Sequence, residues 1–151
     1  MDETIDAKRL AQAVGREMFA QDNASQALGM VLEEIRPGYA KMCMRVRDDM
    51  INGHDICHGG LIFTFADSAF AFACNARNRI SVAAGAEIHF ISPARKGETL
   101  VAEARERAGA GRSGIYDIDV TDRASGRLVA VFRGRSHRIE GTIVEERKPA
   151  P

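Results

Sequence analysis

The sequence predicts an α+β fold in which an antiparallel β-sheet wraps around one long, buried helix. Two observations carry this prediction. An apolar stretch follows Gly59, has the length of a helix of about 15 residues and shows no polar face. Short segments of alternating apolar and polar residues lie on both sides of it and are bounded by turn residues, which is typical of half-buried strands.

Length and composition limit what the protein can be. The chain has 151 residues, which fits a single domain over residues 1–151, and 21 basic residues balance 21 acidic ones. A chain without net charge has no overall field that would attract nucleic acid or an acidic membrane surface. The three cysteines match no disulfide or metal-binding spacing, and the N-terminus does not resemble a signal peptide, so we expect reduced thiols and a cytoplasmic location.

Residues 1–29 are predicted to form a helical arm on the outside of the domain. Within it, residues 2–21 carry apolar side chains at helical spacing, and Asp22 ends this helix and caps a short second one. A β-hairpin follows, with its strands at residues 30–35 and 39–47. Residues 48–57 are expected to be a loop.

The long helix is predicted at residues 59–75. Four strands are expected after it, at residues 82–92, 99–107, 115–121 and 127–139. Residues 109–114 are predicted to be a long turn and residues 145–151 a flexible tail. One curved sheet covers only one side of a helix, and the chain has no second long helix, so a partner subunit is expected to cover the other side.

Asp67 is the main candidate for a catalytic group. It lies in the middle of the apolar helix, with Phe63 and Phe70 among its neighbours and no lysine or arginine within one turn. A carboxylate in such surroundings is costly, and its pKa is open to upward tuning, as expected of a base or nucleophile. The alternative is a carboxylate that faces water or a neighbouring arginine.

The start of the helix is the second candidate. The first N–H groups of a helix have no partner within it, so the N–H of Gly59 can polarise a carbonyl or bind an oxyanion. The alternative is a glycine that serves only a tight turn. Gly59 and Asp67 are eight residues apart, or ~12 Å along a helix axis, too far to act on one carbonyl. We therefore expect composite sites across a two-fold axis, with Gly59 from one subunit and Asp67 from the other.

Other candidates carry less weight. His54 and His58 have the spacing of helical metal ligands, but the segment is a loop and no third ligand stands out, so no metal is expected. Cys57 and His58 are sequence neighbours that do not face each other, which disfavours a cysteine nucleophile. Ser68 has two interpretations: a contact with substrate, or a hydroxyl bonded to its own helix.

Four segments resemble one known family in the same order. They are N-G-H-D-I-C-H-G-G running into L-I-F-T-F-A-D-S-A-F-A-F-A-C-N, then I-H-F-I-S-P-A-R-K-G-E-T-L, G-I-Y-D-I-D-V and V-A-V-F-R-G-R-S-H-R-I-E-G-T-I. Together they cover most of the chain and resemble the PaaI-type acyl-CoA thioesterases of the hotdog superfamily, in the phenylacetate-degradation branch.

The resemblance implies a hotdog fold, dimers that pair into tetramers, and sites across the dimer interface. It implies that Asp67 acts as general base or nucleophile and that the Gly59 N–H polarises the thioester carbonyl. Asn52 and His58 match positions that help to hold water or the carbonyl. Ser68 falls where the family carries threonine or serine.

The resemblance also implies hydrolysis of an acyl-CoA to free acid and CoA. Phenylacetyl-CoA or a ring-hydroxylated or ring-oxidised derivative is the expected substrate, with no cofactor beyond the CoA within it. We expect Gly60 and Phe63 to line the substrate, and Arg133 and Arg138 to contact the CoA phosphates unless they form a solvated strand surface. Some relatives carry a serine near the site where this chain has residues 83–85, Ala-Ala-Gly.

Two other functions remain open from the residues alone. A hotdog dehydratase would need a histidine base paired with a carboxylate, and His58 with Asp67 could mimic that pair. A non-catalytic acyl-CoA sensor would need the fold but not the carboxylate. The loop before the helix resembles the thioesterases, and the intact Asp67 favours catalysis.

Overall fold

A computed structural model describes residues 3–146 of the chain. The helices and strands are α1 (Glu3–Gln21), α2 (Asn23–Ala27), β1 (Val31–Arg36), β2 (Tyr39–Arg45), α3 (Gly59–Asn75), β3 (Ser81–Phe90), β4 (Thr99–Ala110), β5 (Ser113–Asp122) and β6 (Leu128–Arg138). Most of the predicted flexible tail, residues 147–151, lies outside the described residues. Every predicted helix and strand is confirmed, with ends that differ by a few residues.

The strands form one six-stranded sheet in the order β1-β2-β4-β5-β6-β3. All neighbouring pairs are antiparallel, as predicted. Strand β3 follows α3 in the chain but pairs with β6, so it lies at the far edge of the sheet and not beside β4. Helix α3 therefore carries the chain from β2 across to the far edge of the sheet. This leaves the free edge of β2 to pair with β4.

The predicted long turn at residues 109–114 is wrong. Strand β4 continues to Ala110 and β5 begins at Ser113, so only two residues connect them. Gly111 in this connection has φ +59°, a conformation that favours glycine. The three glycines of residues 109–114 concealed the strand ends. Glycine has no side chain, so it interrupts the alternation of apolar and polar residues by which a strand is recognised.

The core lies between α3 and the concave face of the sheet. Phe65, Phe70 and Phe72 of α3 are almost fully buried, as are Met42 and Met44 of β2. The arm packs on the same core: α1 buries Ala11 and Val14 completely, and Phe19 contacts the ring of Phe72 at 6.4 Å between centroids. None of the helices among residues 3–146 is long and apolar enough to cross a membrane.

One face of α3 is left partly uncovered by this chain. Its members are spaced three or four residues apart and are half-buried or exposed: Gly60, Phe63, Thr64, Asp67, Ala71 and Cys74. This open stripe borders the edge strand β3, whose residues are mostly exposed. The exposed apolar side chains there include Val82, Phe90 and Ile91, at 45%, 55% and 55% exposure. Asp67 lies at the centre of the stripe.

Candidate active site

The start of α3 leaves one backbone donor free. His58 is the N-cap, and its Nδ1 accepts a hydrogen bond from the N–H of Gly60 at 2.9 Å. The N–H groups of Leu61 and Ile62 both donate to the carbonyl of His58. Within residues 3–146 no acceptor faces the N–H of Gly59. His58 therefore accepts hydrogen bonds from the three N–H groups after Gly59, and the N–H of Gly59 itself stays available for a ligand.

This arrangement changes the roles of His58 and Gly60. Because Nδ1 of His58 accepts, the neutral ring carries its proton on Nε2, so the N-cap residue of α3 offers a further hydrogen-bond donor. The N–H of Gly60 is occupied by the cap and is not a free donor, and the contact of Gly60 with a substrate stays a prediction. A side chain at Gly60 would also come within 3.1 Å of the imidazole ring. Gly60 thus contributes space and holds the histidine.

Asn52 shapes the loop that leads into the helix. Its Oδ1 accepts from the N–H of His54 at 3.0 Å, and its own N–H donates to the carbonyl of Ile56 at 2.9 Å. The N–H of His58 is tied to the carbonyl of Met50 at 2.8 Å, so the loop holds His58 in place. The described residues offer no acceptor for the Nδ2 group of Asn52, which stays free to bind a ligand or water.

Asp67 is half-buried and has no hydrogen bond or ion pair within residues 3–146. Burial raises the pKa of its carboxyl above the ordinary value. The alternative of a partner arginine in the same chain is therefore not met. A carboxylate with a raised pKa and free oxygens is suited to accept a proton from water or to attack a carbonyl.

The two candidate groups do not meet within one chain. Gly59 and Asp67 are eight residues apart on a continuous helix, which separates them by ~12 Å along its axis. A cavity of about 350 Å³ beside the helix start is lined by His58, Gly60 and Leu61, but not by Asp67. A single chain therefore does not bring Gly59 and Asp67 to the same carbonyl group.

Ser68 points towards the helical arm. Its hydroxyl lies 2.9 Å from that of Ser25, which donates in turn to Asp22 at 2.6 Å. Since the proton of Ser25 goes to Asp22, Ser68 is the donor to Ser25. The expectation of a bond to its own helix is wrong, and only the acceptor side of the hydroxyl is left for a substrate. Ser68 connects α3 to the arm.

The remaining predicted substrate contacts lie in three different places. Phe63 lies on the open stripe and contacts Phe132 edge-on, with ring centroids 5.2 Å apart. Arg133 forms two hydrogen bonds to Asp117, at 2.6 and 2.8 Å, on the outer face of the sheet. Arg138 follows the buried Ser136 by two residues and lies on the face towards α3. Arg133 and Arg138 therefore cannot hold one phosphate group together.

No cysteine or metal cluster offers a competing chemistry in the part of the chain that the structure describes. Burial raises the pKa of Cys57, and that of Cys74 to about 12, so both are thiols at neutral pH and poor nucleophiles. Residues 3–146 contain no group of three or more histidine, cysteine, aspartate or glutamate side chains placed to bind a metal ion.

Comparison with known proteins identifies the family. A sequence model described as the thioesterase superfamily matches residues 54–129, which include the end of the loop before α3, α3 itself and strands β3 to β5. This chain belongs to the thioesterase superfamily. Acyl-coenzyme A thioesterase PaaI of Escherichia coli K12 is 42% identical over 129 residues, covering 85% of this chain and 91% of that protein. The human acyl-coenzyme A thioesterase 13 is 30% identical over 118 residues, covering 76% and 84%.

A solved structure extends the likeness to three dimensions. The structure of the E. coli PaaI protein from the phenylacetic acid degradation operon matches with a TM-score of 0.88 and 39% identity, over 90% of this chain and 98% of that one. The predicted hotdog fold is thereby confirmed, as is the prediction of a PaaI-type enzyme. This thioesterase superfamily member is an enzyme that hydrolyses thioesters.

Sequence reasoning missed part of the surface around Asp67. Thr64, Ala71 and Cys74 lie three, four and seven residues from it and share the open stripe. The signal was present, because residues at this spacing lie on one face of a helix. It was overlooked because the helix was expected to be covered all round, and only the structure shows which face the sheet leaves free.

Proposed function

We propose that this protein hydrolyses acyl-CoA thioesters at sites shared between two subunits. Each site combines the Gly59 N–H and His58 of one subunit with Asp67 of the partner subunit. The observation that carries the proposal is that α3 bears two groups without a partner within residues 3–146: the N–H of Gly59 at its start and the Asp67 carboxylate, of raised pKa, on its open stripe.

The exposed edge supports a two-fold dimer. Strand β3 ends the sheet and presents exposed Val82 and Phe90 beside the open stripe. Two such edges can pair about a two-fold axis, with the two α3 helices antiparallel to each other. When the axis passes close to Phe63, midway between Gly59 and Asp67, it brings Gly59 of each subunit opposite Asp67 of the other.

The chemistry follows from the two half-sites. The Gly59 N–H binds the carbonyl oxygen of the thioester and stabilises the negative charge that develops on it, an effect worth ~10²–10³ in rate. Asp67 takes a proton from water that attacks the carbonyl carbon, or attacks the carbon itself to form an anhydride that water then opens. In either case the carbon–sulfur bond breaks, the acid is released, and the CoA thiolate takes up a proton.

Isotope labelling separates these two routes. In a single turnover in ¹⁸O-water, a nucleophilic Asp67 leaves ¹⁸O in its own carboxylate when water attacks the aspartyl carbonyl, whereas a general base places the label directly in the released acid. Mass spectrometry of the peptide that contains Asp67 measures the difference.

The substrate proposed is phenylacetyl-CoA or a ring-hydroxylated or ring-oxidised derivative. Support comes from the similarity to a thioesterase whose solved structure is described as belonging to the phenylacetic acid degradation operon. Phe63 and the apolar stripe would suit an aromatic acyl group. We further propose that the reaction needs no cofactor, that dimers pair into tetramers and that the protein works in the cytoplasm.

A thiol-release assay tests the proposal. Wild-type protein is expected to release CoA thiol from arylacetyl-CoAs faster than from straight-chain acyl-CoAs, and the Asp67→Ala variant to lose most of the rate. If wild-type protein releases no thiol from any acyl-CoA, hydrolysis at this site is refuted and a sensor or dehydratase takes its place. A variant with most of the rate intact would show that the role given to Asp67 is wrong.

A further inference from the structure

The loop between β3 and β4, residues 91–98, lies against the segment that leads into α3. The carbonyl of Ala94 in this loop accepts a hydrogen bond from the N–H of Cys57 at 2.8 Å. Ala94 and Cys57 are both buried, so this bond is shielded from water. Because Cys57 is two residues before Gly59, the β3–β4 loop holds one side of the start of α3.

Backbone hydrogen bonds hold the two ends of this loop. The N–H of Ser92 donates to the carbonyl of Val129 at 3.2 Å, and the N–H of Gly97 donates to the carbonyl of Val46 at 2.8 Å. The segment between these two bonds contains Pro93, which has no N–H to donate. The position of the middle of the loop therefore depends on a side chain from another part of the fold.

Arg127, in the turn between β5 and β6, supplies that side chain. Its guanidinium group donates to both carboxylate oxygens of Glu98, at 2.7 and 3.0 Å. It also donates to the carbonyl of Pro93 at 3.1 Å and to the hydroxyl of Ser92 at 3.2 Å. A planar guanidinium group can hold several acceptors in fixed directions. Arg127 thus joins the residues on either side of Ala94 and keeps the loop in one shape.

A second ion pair from the same turn provides a matched control. Arg123 pairs with Glu33. The side chains of this pair are 46% and 26% exposed, and those of the Arg127–Glu98 pair are 38% and 18% exposed. Glu33 lies in β1, at the edge of the sheet opposite to β3, and is not part of the β3–β4 loop. The two pairs are therefore similar in kind but differ in what they hold.

We propose that Arg127 is a positioning residue for thioester hydrolysis: through the β3–β4 loop it fixes the direction of the Gly59 N–H. The proposal rests on the proposed function, in which this N–H binds the thioester carbonyl oxygen. Such a donor stabilises the developing charge only at ~2.7–3.1 Å from the oxygen, and a displacement of ~1 Å can lower the rate ~10²-fold. The effect of Arg127 passes from Ala94 to Cys57 and from there to the start of α3.

A double-mutant cycle separates positioning from general support of the fold. Arg127→Met keeps a long unbranched side chain but loses every side-chain bond to the loop, so kcat is expected to fall about tenfold with KM close to the wild-type value. In the Gly59→Pro background there is no N–H to misplace, and the same substitution is expected to leave kcat unchanged. Arg123→Met is expected to keep the wild-type kcat. Equal losses from Arg127→Met in both backgrounds, or no loss in either, overturn the proposal.

Hydrogen–deuterium exchange tests the same link without any reaction. In the Arg127→Met variant, the Cys57 amide is expected to exchange about tenfold faster or more, because the loop that carries its acceptor is released. In Arg123→Met, the Cys57 amide is expected to exchange as in the wild type. Unchanged exchange at Cys57 in Arg127→Met overturns the proposal. Failure of the proposed function is seen separately, as a wild-type protein that releases no thiol from any acyl-CoA.

Discussion

At the residue scale, the Asp67 carboxylate lowers the stability of the fold and supplies the base or nucleophile of the proposed reaction. It is half-buried without a partner within residues 3–146, and burial raises its pKa. The Asp67→Asn variant keeps the shape and removes the charge, so it is expected to lose ~10²-fold or more in kcat. Its free energy of unfolding at neutral pH is expected to equal or exceed that of the wild type, since no ion pair is lost. Thiol-release kinetics and denaturant unfolding measure the two effects, and a marked loss of stability would contradict this view of Asp67.

The direction of the Asp67 pKa shift predicts two pH dependences. The native state binds the Asp67 proton more tightly than the unfolded state, so between the two pKa values the free energy of unfolding falls as pH rises. The rate shows the opposite trend, because the ionised form is the active one: kcat is expected to rise with pH through the raised pKa. Comparing the stability of wild type and Asp67→Asn from acid to neutral pH isolates the first effect. A difference in the free energy of unfolding between the two proteins that does not change with pH would refute the predicted stability effect.

Gly59 allows its backbone donor to be removed with little change elsewhere. It is the first residue of α3, a position that favours proline, and His58 before it has φ −58° and ψ 127°, which a following proline accepts. The Gly59→Pro variant therefore lacks the N–H but keeps the helix, and kcat is expected to fall ~10²–10³-fold. Gly59→Ala is the control: it keeps the N–H and places a Cβ at the same 3.1 Å distance from the exposed ring of Phe90. Equal losses in both variants would assign the effect to crowding and not to the donor.

The sequence predicted the site residues more readily than their interactions. Asp67 stood out because a carboxylate in an apolar helix is costly, and Gly59 because a helix start has free donors. The cap by His58 on Gly60 and the bond from Ser68 to Ser25 were not predicted. Both depend on side-chain rotamers and on the position of the arm, which spacing along the chain does not contain.

At the element scale, α3 is packed against the sheet so closely that one strand residue must be glycine. A Cβ at Gly134 of β6 would lie 2.7–2.8 Å from ring atoms of the buried Phe70. The Gly134→Ala variant is therefore expected to lose roughly 1–3 kcal/mol in the free energy of unfolding. Gly109→Ala in β4 is the control, since its Cβ meets nothing closer than 3.5 Å and its φ is not positive. Denaturant unfolding measures both, and equal stability of the two variants would contradict this packing.

Periodicity predicted the elements well where side chains alternate and poorly where glycine replaces them. The hairpin of β1 and β2 and the bounds of α3 were predicted because apolar residues mark their faces. The tight connection at Gly111 was interpreted as a long turn, since glycines near it hide the ends of β4 and β5.

At the scale of the whole molecule, the fold is open where the chemistry is expected. The sheet covers one side of α3, the open stripe faces outward, and β3 offers an unpaired edge beside it. The same helix carries the donor at its start and the carboxylate two turns later. In the proposed dimer, each chain therefore contributes one half of each of two sites, and a second copy of the chain contributes the other halves.

A mixing experiment measures this most directly. Chains with Asp67→Asn and chains with Gly59→Pro are inactive alone, and a heterodimer of the two contains one site with both groups intact. Heterodimers isolated with two affinity tags are expected to show about half of the wild-type rate per dimer. If purified heterodimers stay as inactive as the two parent homodimers, Gly59 and Asp67 do not act across subunits and the composite site is wrong.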